Sequence, residues 1–113
     1  MSDESTLARG RSAFERRAWA ESCRLLEAAD REASLDPADL EHLAFAAYLV
    51  GRDDDSERFI TRAHQLSVDR GDVEDAARTA FWLAFGLLAR GAVAPASGWF
   101  VRAQRILDEA GLD

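Results

Sequence analysis

Residues 79–90, TAFWLAFGLLAR, decide the fold of this chain. Phe81, Trp82, Leu83, Phe85, Leu87 and Leu88 would point to every side of a helix, and a helix that is apolar all round needs cover on more than one side. The stretch is too short to cross a bilayer, which takes about 20 apolar residues. It therefore predicts a helix packed between other helices.

Working outward, this helix begins near Val73, after the glycine and cap residue Gly71 and Asp72, and ends at Gly91. A sixth helix starts near Ala94 or Pro95, where proline's missing N–H costs nothing, and runs to about Ala110. Its stripe is Ala96, Trp99, Phe100, Ala103, Ile106 and Leu107. Toward the N-terminus, Asp53 to Asp55 form the acidic start of a fourth helix, where carboxylates meet the positive end of the helix dipole. That helix runs through Phe59, Ile60, Ala63 and Leu66 to about Arg70. A third spans Pro37 to about Val50, with Asp36 as cap, Pro37 in the first turn and Gly51 at the left-handed end. Patterns at spacings of three and four place a second helix from about Ala18 to Ala33 and a first from Thr6 to Arg17. No segment alternates with the period of a strand, so the fold class is all-α with six helices.

The size of the chain, 113 residues, fits one domain over 1–113. A net charge of -7 repels phosphate backbones and anionic lipid, which disfavours direct nucleic-acid binding and a membrane-surface role. The one cysteine, Cys23, allows no intrachain disulfide, and the polar start MSDESTLARG has no apolar signal segment, so a cytoplasmic location is expected. All 14 basic residues are Arg, and Asn is also absent, a bias of GC-rich and typically bacterial genomes.

An internal repeat emerges when the helices are aligned. Ala29, Ala63 and Ala103 each lie three residues after Leu26, Ile60 or Phe100, and those lie four after Ser22, Ser56 or Ala96. Gly10, Ala44 and Ala84 take one small position in the preceding helices, and the turns align at Arg17, Gly51 and Gly91. The first step is 34 residues (63 − 29) and the second 40 (103 − 63). Two helices of a hairpin approach closely only where small residues face each other and a large apolar one fills the adjacent hole.

On these residues the chain resembles the tetratricopeptide repeat family, whose unit is a 34-residue helix-turn-helix. The resemblance covers about Thr6 to Leu107 as three repeats, about 6–36, 37–71 and 72–110. The first departs from the family in carrying Arg9 at a large apolar position. Phrases such as AFERRAWAES, AAYLVGRDDDS and ARTAFWLAFGLLARG resemble the repeat regions of actinobacterial LuxR-type transcriptional regulators. The resemblance implies three hairpins stacked as a short right-handed superhelix. It also implies a part that senses a partner or signal, because no segment matches the helix-turn-helix that contacts DNA in those regulators.

The first helix of each pair lines the concave face in that family. The resemblance thus assigns a binding face to Arg11, Phe14, Glu41, Phe45, Tyr48, Arg78, Phe81, Phe85 and Leu88, which suits a protein or peptide partner with aromatic anchors. An alternative is small-molecule sensing in an apolar pocket of Phe45, Tyr48, Phe81 and Phe85. On the sixth helix, Trp99, Phe100, Ile106 and Leu107 form an apolar stripe without a polar cap after it, which implies either further repeats or self-association, most simply as a homodimer.

No catalysis, metal or cofactor is expected. His42 and His64 lie in different helices, without a partner at i+4 for a zinc site. Cys23 with His42 as base lacks an orienting third group. Asp53, Asp54, Asp55 and Glu57 lack the central glycine and twelfth-position glutamate of a calcium loop, and no phosphate-binding glycine motif occurs.

Overall fold

The computed structural model describes residues 4–111. Among them are six α-helices and no strand: α1 (Thr6–Glu15), α2 (Trp19–Glu32), α3 (Pro37–Leu49), α4 (Asp53–Arg70), α5 (Val73–Ala89) and α6 (Val93–Glu109). Residue contacts divide the chain into two compact units, Met1–Phe59 and Ile60–Asp113, with the division inside α4.

In the first unit, the Ser5 hydroxyl caps α1 by accepting from the Ala8 N–H at 3.0 Å. α1 and α2 then approach so closely that a Cβ on Gly10 would lie 2.8 Å from Leu26 Cδ2. Leu26 is fully buried and cannot swing aside, so only glycine fits. Ser22 closes the same contact by donating from Oγ to the Gly10 carbonyl at 3.0 Å. The next hairpin repeats this bond, Ser56 Oγ donating to the Ala44 carbonyl at 2.6 Å. The two serines read as small spacers in the sequence are therefore also hydrogen-bonded ties. Between α2 and α3, the Leu35 N–H donates to Asp30 Oδ1 at 3.1 Å. Asp36 stands at the cap of α3, but its carboxylate accepts no cap hydrogen bond, contrary to the expectation from sequence. The start of α3 relies instead on Pro37, whose ring fixes φ in the helical range.

In the second unit, the remainder of α4 joins α5 and α6. Ala80, Leu83, Ala84 and Leu87 are the buried side of the opening stretch, and Ala96 and Ala103 are the buried small residues of α6. In this hairpin Ala96 replaces the serine tie and Ala84 the glycine, so the close contact is purely apolar.

The three hairpin turns are alike. Arg17, Gly51 and Gly91 have φ of 63°, 85° and 81°. The residue after each donates back five positions, Ala18 to Ala13, Arg52 to Ala47 and Ala92 to Leu87, at 2.9, 2.8 and 2.9 Å. This is the Schellman closure, which satisfies the last carbonyls of a helix and needs a left-handed residue. The 34- and 40-residue steps of the sequence thus reappear as recurring backbone geometry. The longer second step lies in the helices: α4 and α5 have 18 and 17 residues, against 14 and 13 in α2 and α3.

Candidate functional site

In the first unit, the predicted binding residues are largely engaged. Arg11 donates through Nε and Nη2 to the Asp39 carboxylate at 3.0 and 2.7 Å, and this fork holds the guanidinium pKa above its ordinary value. One turn on, Phe14 stacks on His42 with centroids 4.3 Å apart. Phe45 closes the group edge-on, 6.1 Å from Phe14 and 5.5 Å from Trp19, and Phe14 and Trp19 meet at 5.2 Å. Asp39, His42 and Phe45 share one face of α3, so this face of α3 covers the α1–α2 hairpin. Glu41 is buried rather than displayed, and Tyr48 is half exposed.

The second unit differs. Phe85 is 59 % exposed and Leu88 45 %, so the opening stretch is apolar all round yet covered on only part of its circumference. Phe85 meets Phe100 edge-on at 5.3 Å, and Phe81 lies 6.0 Å from the same ring. Val93, at the start of α6, is also 59 % exposed. Arg78, at the other end, pairs with Asp75 on its own helix at 2.9 Å. The structure therefore brings Phe81, Phe85 and Phe100 together within one hairpin.

The residues expected to self-associate are half buried. Trp99 sets its ring edge-on to His64 at 5.1 Å with the Arg102 guanidinium 5.5 Å from its centroid, and Phe100 is engaged by Phe81 and Phe85. Ile106 and Leu107 continue the stripe. Part of this surface is thus already used inside the second unit.

Two polar clusters went unforeseen. Arg52 donates to both oxygens of Glu27 at 2.6 and 2.8 Å, to Asp55 at 2.8 Å and to Cys23 Sγ at 3.0 Å. These bonds hold the Glu27 and Asp55 carboxyls below their usual range, with Arg52 the principal cause for each. Burial pushes the Cys23 thiol up, and the nearby guanidinium only partly opposes it. The thiol therefore stays protonated and donates weakly to Glu27 at 3.7 Å, which removes the thiolate that nucleophilic chemistry requires. Cys23 opens on a cavity of about 320 Å³ with Arg24, Arg31 and Val50 on its wall. The only sequence signal for this cluster is the position of Arg52 directly after the Gly51 turn.

The second cluster surrounds His64, which is 1 % exposed. Arg102 Nε can only donate, so His64 Nε2, 3.1 Å away, accepts and the proton resides on Nδ1. Nδ1 then donates toward the Ala76 carbonyl at 2.9 Å and Thr79 Oγ1 at 3.0 Å. Burial, aided by Arg102, lowers the imidazole pKa although the Ala76 bond opposes it. His64 is thus a neutral tie between α4, α5 and α6. Among the described residues, no three His, Cys, Asp or Glu side chains converge on a metal position, and no helix is long and apolar enough to cross a membrane. Compared with known proteins, the chain matches no protein-family model and no curated protein.

Proposed function

We propose that this chain is a non-catalytic protein-protein interaction module of the tetratricopeptide type, serving as the partner- or signal-sensing part of a bacterial LuxR-type regulatory system. The open apolar face of the last hairpin carries the reading. Phe85, Leu88 and Val93 are each close to half exposed or more, on a hairpin whose other side is packed. Contiguous exposed apolar side chains on a charged protein mark interaction surfaces more often than accidents of composition. The recurring hairpins support the repeat type, since equivalent turns and ties return at Arg17, Gly51 and Gly91. The regulatory setting rests on the sequence resemblance alone.

The test is photo-crosslinking in a bacterial host of matching origin, with a benzophenone amino acid in place of Phe85. A discrete crosslinked protein, weakened by Leu88→Glu and identified as a component of transcriptional control, is the expected result. A chain that crosslinks to no protein at this position would remove the interaction role.

A further inference from the structure

The last hairpin repeats the first in register. Gly91 corresponds to Arg17 in the turn, and Val93, the first residue of α6, corresponds to Trp19, the first residue of α2. The same register matches Phe85 with Arg11, Leu88 with Phe14 and Phe100 with Leu26. In the first unit this face is occupied by one helix, α3. Asp39 binds Arg11, His42 stacks on Phe14, and Phe45 lies against Phe14 and Trp19. These contacts come from positions i, i+3 and i+6 of the covering helix, which share one side of it. In the second unit the matching residues Phe85, Leu88 and Val93 are 59 %, 45 % and 59 % exposed.

We infer that the face formed by Phe85, Leu88 and Val93 seats one helix of a partner protein, docked as α3 is docked on α1–α2, with an apolar side chain where α3 presents Asp39. The inference rests on the protein-binding role proposed above and specifies its partner. The change at the first position follows from the one place where the two seats exchange a charged side chain for an apolar one. Arg11 offers a carboxylate two charge-assisted hydrogen bonds, whereas Phe85 offers none, so a carboxylate brought there would lose water without compensation. The remaining positions call for aromatic or aliphatic side chains over Leu88 and Val93.

The helices of a second copy that share the register of α3 fit the seat poorly. The positions matching Asp39, His42 and Phe45 are Ser5, Ala8 and Arg11 around α1, and Thr79, Trp82 and Phe85 in α5. Ser5 and Arg11 already hold side-chain hydrogen bonds, and Thr79 is fully buried. Neither helix presents a free apolar triad, so neither α1 nor α5 of a second copy supplies the occupant.

The experiment uses the full chain and two stapled, fluorescein-labelled peptides of residues 36–50, one unchanged and one with Asp39→Leu, read by fluorescence anisotropy. The wild-type chain should bind the Asp39→Leu peptide about tenfold more tightly than the unchanged one, the discrimination expected from one unpaired carboxylate. Phe85→Arg should reverse that preference by restoring the partner that Arg11 provides in the first unit. Leu88→Arg, at a half-exposed position, should weaken both peptides, and circular dichroism confirms that each variant is folded. Absence of binding, equal binding of the two peptides, or a preference indifferent to residue 85 would overturn the inference; the last is the signature of a peptide displacing α3 from its own seat. A dimeric mass in light scattering that Phe85→Arg abolishes would reassign the face to a second copy and overturn it too. A crosslinked partner at position 85 without peptide discrimination would leave the binding role standing and remove only the helix chemistry.

Discussion

The first and last hairpins share their turn geometry and their close small-residue contact, and differ in what lies over one face. On α1–α2 that face carries Arg11, Phe14 and Trp19 and is met by α3, which leaves Phe14 and Trp19 half buried and engages the Arg11 head while its side chain stays 53 % exposed. On α5–α6 it carries Phe85, Leu88 and Val93, which are exposed. A repeat position therefore fixes which way a side chain points from its hairpin but not whether anything meets it. The open face also belongs to the less acidic unit, since most of the net charge of -7 comes from residues 1–59.

The largest effect should come from emptying the covered face. Phe14→Ala removes a ring packed against Trp19, His42 and Phe45 and should lower stability by about 3 kcal/mol in urea denaturation. Phe85→Ala, at an exposed ring, should lower it by less than about 1 kcal/mol. Similar losses from the two substitutions would break the distinction between a covered and an open face.

Much of the fold was legible because it depends on local chemistry. The helix starts at Pro37 and Asp53 and the ends at Gly51, Gly71 and Gly91 follow from capping and left-handed turn requirements that act within a few residues. The alignment of Ala29, Ala63 and Ala103 was legible for a related reason, since a close helix pair leaves no room for larger side chains. The candidate site was less so. Phe14 and Phe45 occupy the same kind of helical position as Phe85 and Leu88, and periodicity cannot reveal that α3 supplies His42 to cover one pair while the other stays open. The Arg52 cluster was hidden for the same reason, because it joins Glu27 and Cys23 on α2 to Asp55 on α4 through contacts set by how the helices dock.

A smaller effect, specific to the second unit, should appear with pH. His64 is held neutral by burial, with Arg102 donating to one ring nitrogen and the Ala76 carbonyl accepting from the other. Its folded pKa lies below the unfolded value, so its contribution to stability is complete above about pH 6.5 and is lost as pH falls from there toward the folded pKa. Protonation would set two donors, Nε2–H and the Arg102 N–H, against each other. Denaturation followed by tryptophan emission should show stability declining as pH falls below about 6.5, a range that begins above the titration of ordinary carboxylates. His64→Gln should flatten that decline. An unchanged slope in the variant would mean that another group titrates and that His64 is not the tie between α4 and α6.

The smallest effect tests whether the two hairpins are as alike as their turns suggest. Arg17 adopts φ of 63° where Gly51 and Gly91 stand in the other turns, and no other non-glycine residue among those described has positive φ. A Cβ in the left-handed region costs roughly 1–2 kcal/mol, and glycine recovers part of this while adding freedom to the unfolded chain. Arg17 forms no ion pair or side-chain hydrogen bond among the described residues, so its guanidinium is not what retains it. Arg17→Gly should therefore raise stability by about 0.5–1 kcal/mol, seen as a higher urea midpoint with an unchanged slope. A lower midpoint would show that the first turn depends on the arginine side chain and is not equivalent to the turns at Gly51 and Gly91, which would in turn loosen the register that equates the covered face with the open one.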